Sequence, residues 1–293
     1  MQVKNLISNK QENKMNSFKA KKKILDIITH LILIAVAVTC VFPVFWMLSS
    51  SLKTNEEIFK SITLFPETWQ WSNYAEAFLK AKFGMYFLNS LIYTVVGVSA
   101  IVLVTSMAAY AFARLEFWGK NVLFYLLIST LLIPIPGAFV PLYLLLKSLH
   151  LLDTRTGLLL CYISGGIAFG LFLLKSFFEE LPREIEEAAL IDGCSRFGIY
   201  WRIALPLAKP AVATLVIIQC LNIWNEFLLA LVVLQDPSKM PIQRGLMVFQ
   251  GTHMTDYPLL MAGLTIATVP IVIIYLLMQK HIVKGIAAGA VKG

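Results

Sequence analysis

Five stretches of this 293-residue chain carry no charged residue and are long enough to cross a membrane: 31–48, 88–113, 122–146, 157–174 and 257–279. A sixth, 211–234, is interrupted only by Glu226. A helix needs about 17–25 residues to cross a hydrocarbon layer about 30 Å thick, and each stretch reaches that length. Transmembrane strands would read as alternating segments of about ten residues, a pattern that is missing here. Lipid offers no hydrogen bonds, so each segment must satisfy its own backbone groups, which calls for helices. The expected fold is all-α, a polytopic membrane bundle of six helices. Composition agrees: 14% of residues are charged and 58% apolar, whereas a soluble domain has about a quarter charged.

Lysine and arginine then assign the sides. Alternate connections separate into two sets, one holding 17 cations and the other 8. The richer set comprises the N-terminus, Arg114 and Lys120, the segment from Lys175 to Lys209, and the C-terminal tail. The positive-inside rule places that set, with both termini, in the cytoplasm. The net charge of +8 is thus accounted for at the edges of a lipid bilayer, and no nucleic-acid partner is expected. Residues 1–23 form a polar, lysine-rich cytoplasmic extension with a surface-electrostatic role at most, and residues 24–293 the membrane domain. The first span follows more than twenty polar residues without a small-residue cleavage site, so it reads as an uncleaved anchor. Cys40, Cys161, Cys194 and Cys220 are scattered, which suggests neither a disulfide framework nor a metal site.

Within the spans, Pro134, Pro136, Gly137 and Pro141 crowd the third, which must be kinked or broken. Gly166 and Gly170 in the fourth make a small-xxx-small face for close helix packing. The short connections 114–120 and 148–156 suggest that spans two and three, and three and four, are antiparallel neighbours. The external loop 51–87 carries Phe59, Phe65, Trp69, Trp71 and Tyr74, residues suited to a membrane interface or to a partner.

The cytoplasmic segment of about 182–210 reads LPREIEEAALIDGCSRFGIYWRIALPLAKP from Leu181. Pro182 suits the first position of a helix, and Glu184, Glu186 and Glu187 suit its positive end. Gly193 suits the left-handed residue that ends it, Ser195 can cap a second helix, and Pro206 and Pro210 are expected to stop that one. The small Ala188 and Ala189 would let another protein surface approach closely. Local physics leaves two readings open, a docking element or a solvated linker.

Glu187-Ala188-Ala189, three residues, Gly193, nine residues, then Ile203-Ala204-Leu205-Pro206 resembles the EAA loop of binding-protein-dependent ABC importer permeases. The NSLIYT run at Asn89 and Ser90, the WNEF run from Trp224 and the ending VKGIAAGAVKG look like the carbohydrate-uptake branch, in particular the shorter permease of a maltose-type pair. The likeness covers residues 24–293. It implies a subunit in a bacterial cytoplasmic membrane that imports a sugar, with an oligosaccharide preferred, by alternating access. The implied partners are a sister permease, two ATPase subunits carrying ATP and Mg, and an extracellular or periplasmic solute-binding protein. It also implies that Glu187, Ala188, Ala189, Asp192 and Gly193 form a surface and turn docking on an ATPase, while Ile203, Leu205 and Pro206 anchor the loop to the bundle. No cofactor is expected on this chain.

Gln219, Asn222 and Glu226 fall at i, i+3 and i+7 of the fifth span. At that depth polar groups should face the bundle interior or a wet path. They can line a sugar pathway, with Asn225 beside them and Trp224 to stack on a ring, or they can bond between helices. The external loop 236–257, with Arg244, Gln250 and His253, could meet the binding protein or be plain loop.

No GxxxxGK[ST] is present, so ATP hydrolysis is expected on partner chains. No catalytic motif suggests an enzyme. The rival readings are an ion-gradient-driven transporter, which often shows repeats and several intramembrane acids, or an importer of a non-sugar solute such as glycerol phosphate.

Overall fold

The regular elements are all helical among the described residues. The structure, a computed structural model, describes the backbone of residues 2–60, 63–80, 82–132, 135–251 and 255–290, and the side chains of 22–60, 63–79, 82–132, 137–251 and 255–276. In order the helices are α1 (Gln2–Ser50), α2 (Asn55–Lys60), α3 (Ser72–Lys80), α4 (Phe83–Arg114), α5 (Lys120–Ser129), α6 (Ile135–Ser148) and α7 (Arg155–Glu180). There follow α8 (Arg183–Ile191), α9 (Arg196–Ile199), α10 (Leu205–Leu207), α11 (Lys209–Asn225), α12 (Leu228–Val233), α13 (Ile242–Gly245) and α14 (Tyr257–Ala290).

Four helices are long and apolar enough to cross a membrane: α4, α7, α1 from Lys22, and α14 as far as Leu276. Two bent pairs raise the number to six if each is one span. In the first, α5 and α6 lie at 113° on either side of 133–134. The proline-rich third span is therefore broken rather than kinked. Pro134 falls outside the described residues, whereas Pro141 sits within α6 without ending it. In the second pair the run from Arg196 to Leu207 meets α11 at 74°. The fifth apolar stretch is also divided: α11 ends at Asn225, and the short α12 follows after a break.

The dominant helix pair is α4 with α7, two spans that are not neighbours in sequence. A lipid-solvated bundle gains little from hiding apolar surface, because acyl chains are as apolar as leucine, so close contact must supply the energy. Gly166 and Gly170 allow that contact. A Cβ on Gly166 would fall 2.5 Å from the Ile101 side chain, and one on Gly170 would fall 2.8 Å from that of Thr105. With this seam at the centre, α5 packs on α7 and α6 on α12. Spans two and three also meet, Phe112 of α4 lying 5.8 Å from Phe124 of α5 between ring centres.

Buried side chains gather in two clusters, one toward each end of the seam. One includes Phe83, Tyr86, Tyr93, Leu158, Tyr162, Trp224, Ile242 and Phe249. The other joins Ala109, Tyr110, Leu171, Phe178, Tyr200, Ala204 and Ala208. By contrast α1 is exposed from residue 22 to 45 and packs through its last turns against α14. Beyond it, Lys53 is fully buried, its ammonium donating to the Thr63 carbonyl and lying 4.8 Å from the Trp46 ring centre.

Candidate functional site

The segment between α7 and α11 is built by local chemistry. Pro182, with φ −58°, precedes α8 rather than occupying its first position. Glu184 and Glu186 lie in the first turn, where the helix dipole favours acids. At the far end Gly193 has φ +80°, a left-handed conformation that costs glycine little. The Gly193 amide donates to the Leu190 carbonyl at 3.0 Å and the Cys194 amide to the Ala189 carbonyl at 2.9 Å. This pair of bonds is a Schellman ending, which satisfies carbonyls the helix leaves open. The Ser195 hydroxyl then accepts from the Gly198 amide at 3.1 Å and caps α9.

The expected stop at Pro206 is not observed. Residues Tyr200–Ala204 form one turn of π-helix, in which the Leu205 amide reaches back to the Tyr200 carbonyl. Proline lacks an amide hydrogen, and its ring presses on the carbonyl four residues earlier. The wider π turn just ahead of Pro206 relieves that clash, so helical structure runs on to Leu207. The 74° turn comes after Ala208, and Pro210 lies in the opening turn of α11.

Two faces result. Glu187, Ala188, Asp192 and Gly193 are exposed, together with Ile191 at 87%, Phe197 and Trp201. Ala189, expected on the same surface as Ala188, is buried. One helical step of about 100° turns it away from that surface and toward the bundle. Of the expected anchors, Leu205 packs against the second cluster, Ile203 is half-buried and Pro206 is exposed. The most deeply buried residues here are Ile199, Tyr200, Ala204 and Ala208. The Tyr200 and Ser106 hydroxyls share a buried hydrogen bond of 2.8 Å.

A further tie was not foreseen. Arg114, the last residue of α4, places Nε 2.8 Å from Oε1 of Glu186 on α8, with both side chains largely buried. The Tyr110 hydroxyl donates to Oε2 of Glu186 at 3.2 Å, and the Arg114 guanidinium also donates to the Leu181 carbonyl. The only sequence hint is an arginine closing a charge-free run.

In the fifth span the proposed polar stripe is divided. Glu226 follows the end of α11 with an extended backbone. Its carboxylate accepts from the Leu229 amide at 2.6 Å and the Ala230 amide at 3.1 Å, and from the Tyr162 hydroxyl of α7 at 3.1 Å. An acid at this depth thus satisfies the open amides at the start of α12, where the dipole also favours it. Gln219 is buried against Gly166, and Asn222 and Asn225 are exposed. Trp224 is not free to stack on a ligand: it is buried, its indole N–H donates to the Ala267 carbonyl at 3.0 Å, and its ring meets Phe87 edge-on. Beside these residues run two cavities of about 480 and 620 Å³ that share Thr94, Val95 and Cys220. Their walls are almost wholly apolar, which suits helices or acyl chains better than a sugar.

At the opposite end, α4 and α7 hold the loop after α12. Asn89 donates through Nδ2 to the carbonyls of Ser238 at 2.9 Å and Met240 at 3.0 Å. The Tyr93 hydroxyl donates to the Lys239 carbonyl at 2.7 Å, and the Ser90 hydroxyl accepts from the Ile242 amide at 2.8 Å. Arg155 in turn donates to Oδ1 of Asn89 at 3.0 Å. This is the work of the NSLIYT run, which residue types alone did not reveal. Asp153 completes the latch. Its Oδ1 accepts from the amides of Asp236 at 2.9 Å and Gln235 at 3.0 Å, and its Oδ2 lies 3.3 Å from the Lys239 ammonium. The hydrogen bond from the Asp236 amide, followed by those from Gln235 and Lys239, holds the Asp153 carboxyl below the usual range. Bonds to Ser238 and Lys239 do the same for Asp236, and Lys239 is raised, chiefly by Asp236. His253 lies outside the described residues.

Among the described residues no group of three or more His, Cys, Asp or Glu could hold a metal. Comparison with known proteins adds the following. Residues 101–288, more than half the chain, match the model of the family described as binding-protein-dependent transport system inner membrane component. The probable ABC transporter permease YurM of Bacillus subtilis is 38% identical over 90% of this chain and 86% of its own length. The diacetylchitobiose uptake system permease NgcG of Streptomyces coelicolor is 36% identical over 89% of this chain and 87% of its own. A chain of a bacterial ABC transporter involved in import of the acidic polysaccharide alginate has the same fold. The TM-score is 0.79 at 24% identity, with 88% of this chain and 96% of that chain covered.

Proposed function

The chain belongs to the family of binding-protein-dependent transport system inner membrane components, and on that premise we propose that it is one of two membrane-spanning permease subunits in an ATP-driven importer of carbohydrate. The observation that carries the reading is the segment from Pro182 to Leu207. It presents Glu187, Ala188, Ile191 and Phe197 outward while Ile199, Tyr200 and Ala204 root it in the bundle. A surface so apolar at the cation-rich, cytoplasmic edge suits a protein partner, and the family supplies one in the ATPase subunits, which carry ATP and Mg. Their closure would push α8, and through it the bundle, from inward-open to outward-open, and hydrolysis would reset it.

The named sugar of the diacetylchitobiose relative supports a carbohydrate cargo, with an oligosaccharide preferred. The apolar lining of the cavities within this chain favours a sugar route along its surface, shared with a sister permease, where Asn222 and Asn225 are exposed. The latched loop after α12 would lie outside, facing the solute-binding protein. The test is uptake of radiolabelled diacetylchitobiose and related oligosaccharides into vesicles holding the whole assembly with its binding protein. Uptake that requires ATP and the ATPase subunits is expected. Uptake driven by an ion gradient in their absence would refute the reading.

A further inference from the structure

The outward face of α8 explains how a motor could be met, but not how its push would reach a membrane helix. Gly193 is a turn and Ser195 begins a new helix, so the chain path from α8 to α11 passes through a sharp bend, then a π turn, then a 74° corner. The path backward from α8 to α7 passes through Leu181 and Pro182, both extended. Neither covalent route is a rigid rod. The direct link is the contact of Glu186 with α4.

Its geometry suits transmission. Glu186 stands one residue before the exposed Glu187, on the inward side of the same short helix. Its Oε2 accepts from Tyr110 at 3.2 Å, and its Oε1 lies 2.8 Å from Arg114 Nε in a buried ion pair whose N–H is not aligned for a hydrogen bond. Arg114 is fixed in turn because its planar fork also donates to the Leu181 carbonyl. Arg114 and Tyr110 lie one turn apart on α4, so the carboxylate grips a face of that helix rather than a single mobile side chain. From there α4 runs unbroken to Phe83, past Ser99 on the cavity wall, and its far turns hold the loop after α12.

We propose that Glu186, held by Arg114 and Tyr110, is the positioning residue that converts movement of α8 into movement of α4. The proposal rests on the reading that α8 docks on an ATPase subunit.

The test uses the complete transporter in vesicles, with Ser99→Cys in a background free of the four native cysteines. The rate of labelling at position 99 by a thiol reagent is measured with and without a non-hydrolysable ATP analogue. In the parent complex the analogue should change the rate by about fivefold or more, within the usual range of coupling between sites. Adding Glu186→Gln should reduce that change to less than about twofold while the ATPase subunits still co-purify. Arg114→Gln should do the same, and the double variant should lose no more than the worse single one, because the two residues form one link. A full response in Glu186→Gln, or losses that multiply in the double variant, would overturn the proposal. So would failure of Glu186→Gln to assemble, since the pair would then serve folding alone. Ile191→Asp separates this from the docking reading: it should release the ATPase subunits, and retention of functional subunits there would defeat docking, whatever Glu186→Gln does.

Discussion

The two ends of α4 hold their neighbours in opposite ways. At one end Asn89, Ser90 and Tyr93 bind main-chain groups of Ser238, Lys239, Met240 and Ile242, and Arg155 and Asp153 reinforce them. At the other, one carboxylate between Arg114 and Tyr110 holds a whole helix whose outward face stays bare. Many short bonds to backbone fix a loop in one shape. The hold on α8 is narrow by comparison, through Glu186 and the buried Ala189, and leaves its other side uncovered. The first arrangement suits a platform and the second a lever.

That contrast can be broken or sharpened by experiment. The largest effect should come from Gly170→Leu, which removes the seam both ends depend on. Overpacking of this kind costs about 1–3 kcal/mol, and occasionally more, and here the added side chain would run into Thr105. A large fall in thermal stability in detergent is expected, whereas an unchanged midpoint would mean that α4 and α7 are not in such contact. Next, Gly193→Pro should leave membrane insertion intact but abolish ATPase stimulation by the loaded binding protein. Proline holds φ near −65° and cannot adopt the +80° of this turn. Normal stimulation would remove Gly193 from the lever.

Smaller effects belong to the platform. Asn89→Leu leaves the Met240 carbonyl without its donor, at about 1–3 kcal/mol for a group left dry, and leaves Ser238 only its bond from Arg155. Hydrogen exchange at 238–242 should quicken while that of α8 stays unchanged, and a matching change in α8 would erase the distinction between the ends. Acid should act least. A carboxyl held below its usual range, as in Asp153 and Asp236, adds stability that is complete above the unfolded value and is lost only as pH falls through the lower folded one. Protection of the Gln235 and Asp236 amides, corrected for intrinsic exchange, should therefore persist down to about pH 4. Loss of protection near neutrality would show that the latch does not rest on these carboxylates.

Features set by nearest neighbours were legible in the sequence. Gly193 and Ser195 announce a turn and a cap because the backbone they need is only a few residues away. The charge-free runs announce spans for the same reason, and Gly166 with Gly170 announces close packing through sheer absence of bulk. What escaped depends on a second element. Ala188 and Ala189 are alike in type, and only the bundle beneath α8 decides that one is buried. Glu226 looked like a member of a helical stripe until the helix was seen to stop before it and α12 to use its oxygens. Trp224 looked like a sugar platform because no sequence pattern reports that its ring is buried beside Phe87. The stop expected at Pro206 failed because a π turn, invisible to residue spacing, made room for the ring.

The contrast between platform and lever requires that the two ends of α4 lie on opposite sides of the membrane, with α8 inside. Single cysteines at Ser238 and Ile191, both exposed, can be probed with a membrane-impermeant thiol reagent on right-side-out vesicles free of other cysteines. Ser238→Cys should label at once, and Ile191→Cys only after the vesicles are opened. Labelling of Ile191→Cys from outside, with Ser238→Cys protected, would contradict both the orientation and the docking of α8 on a cytoplasmic ATPase.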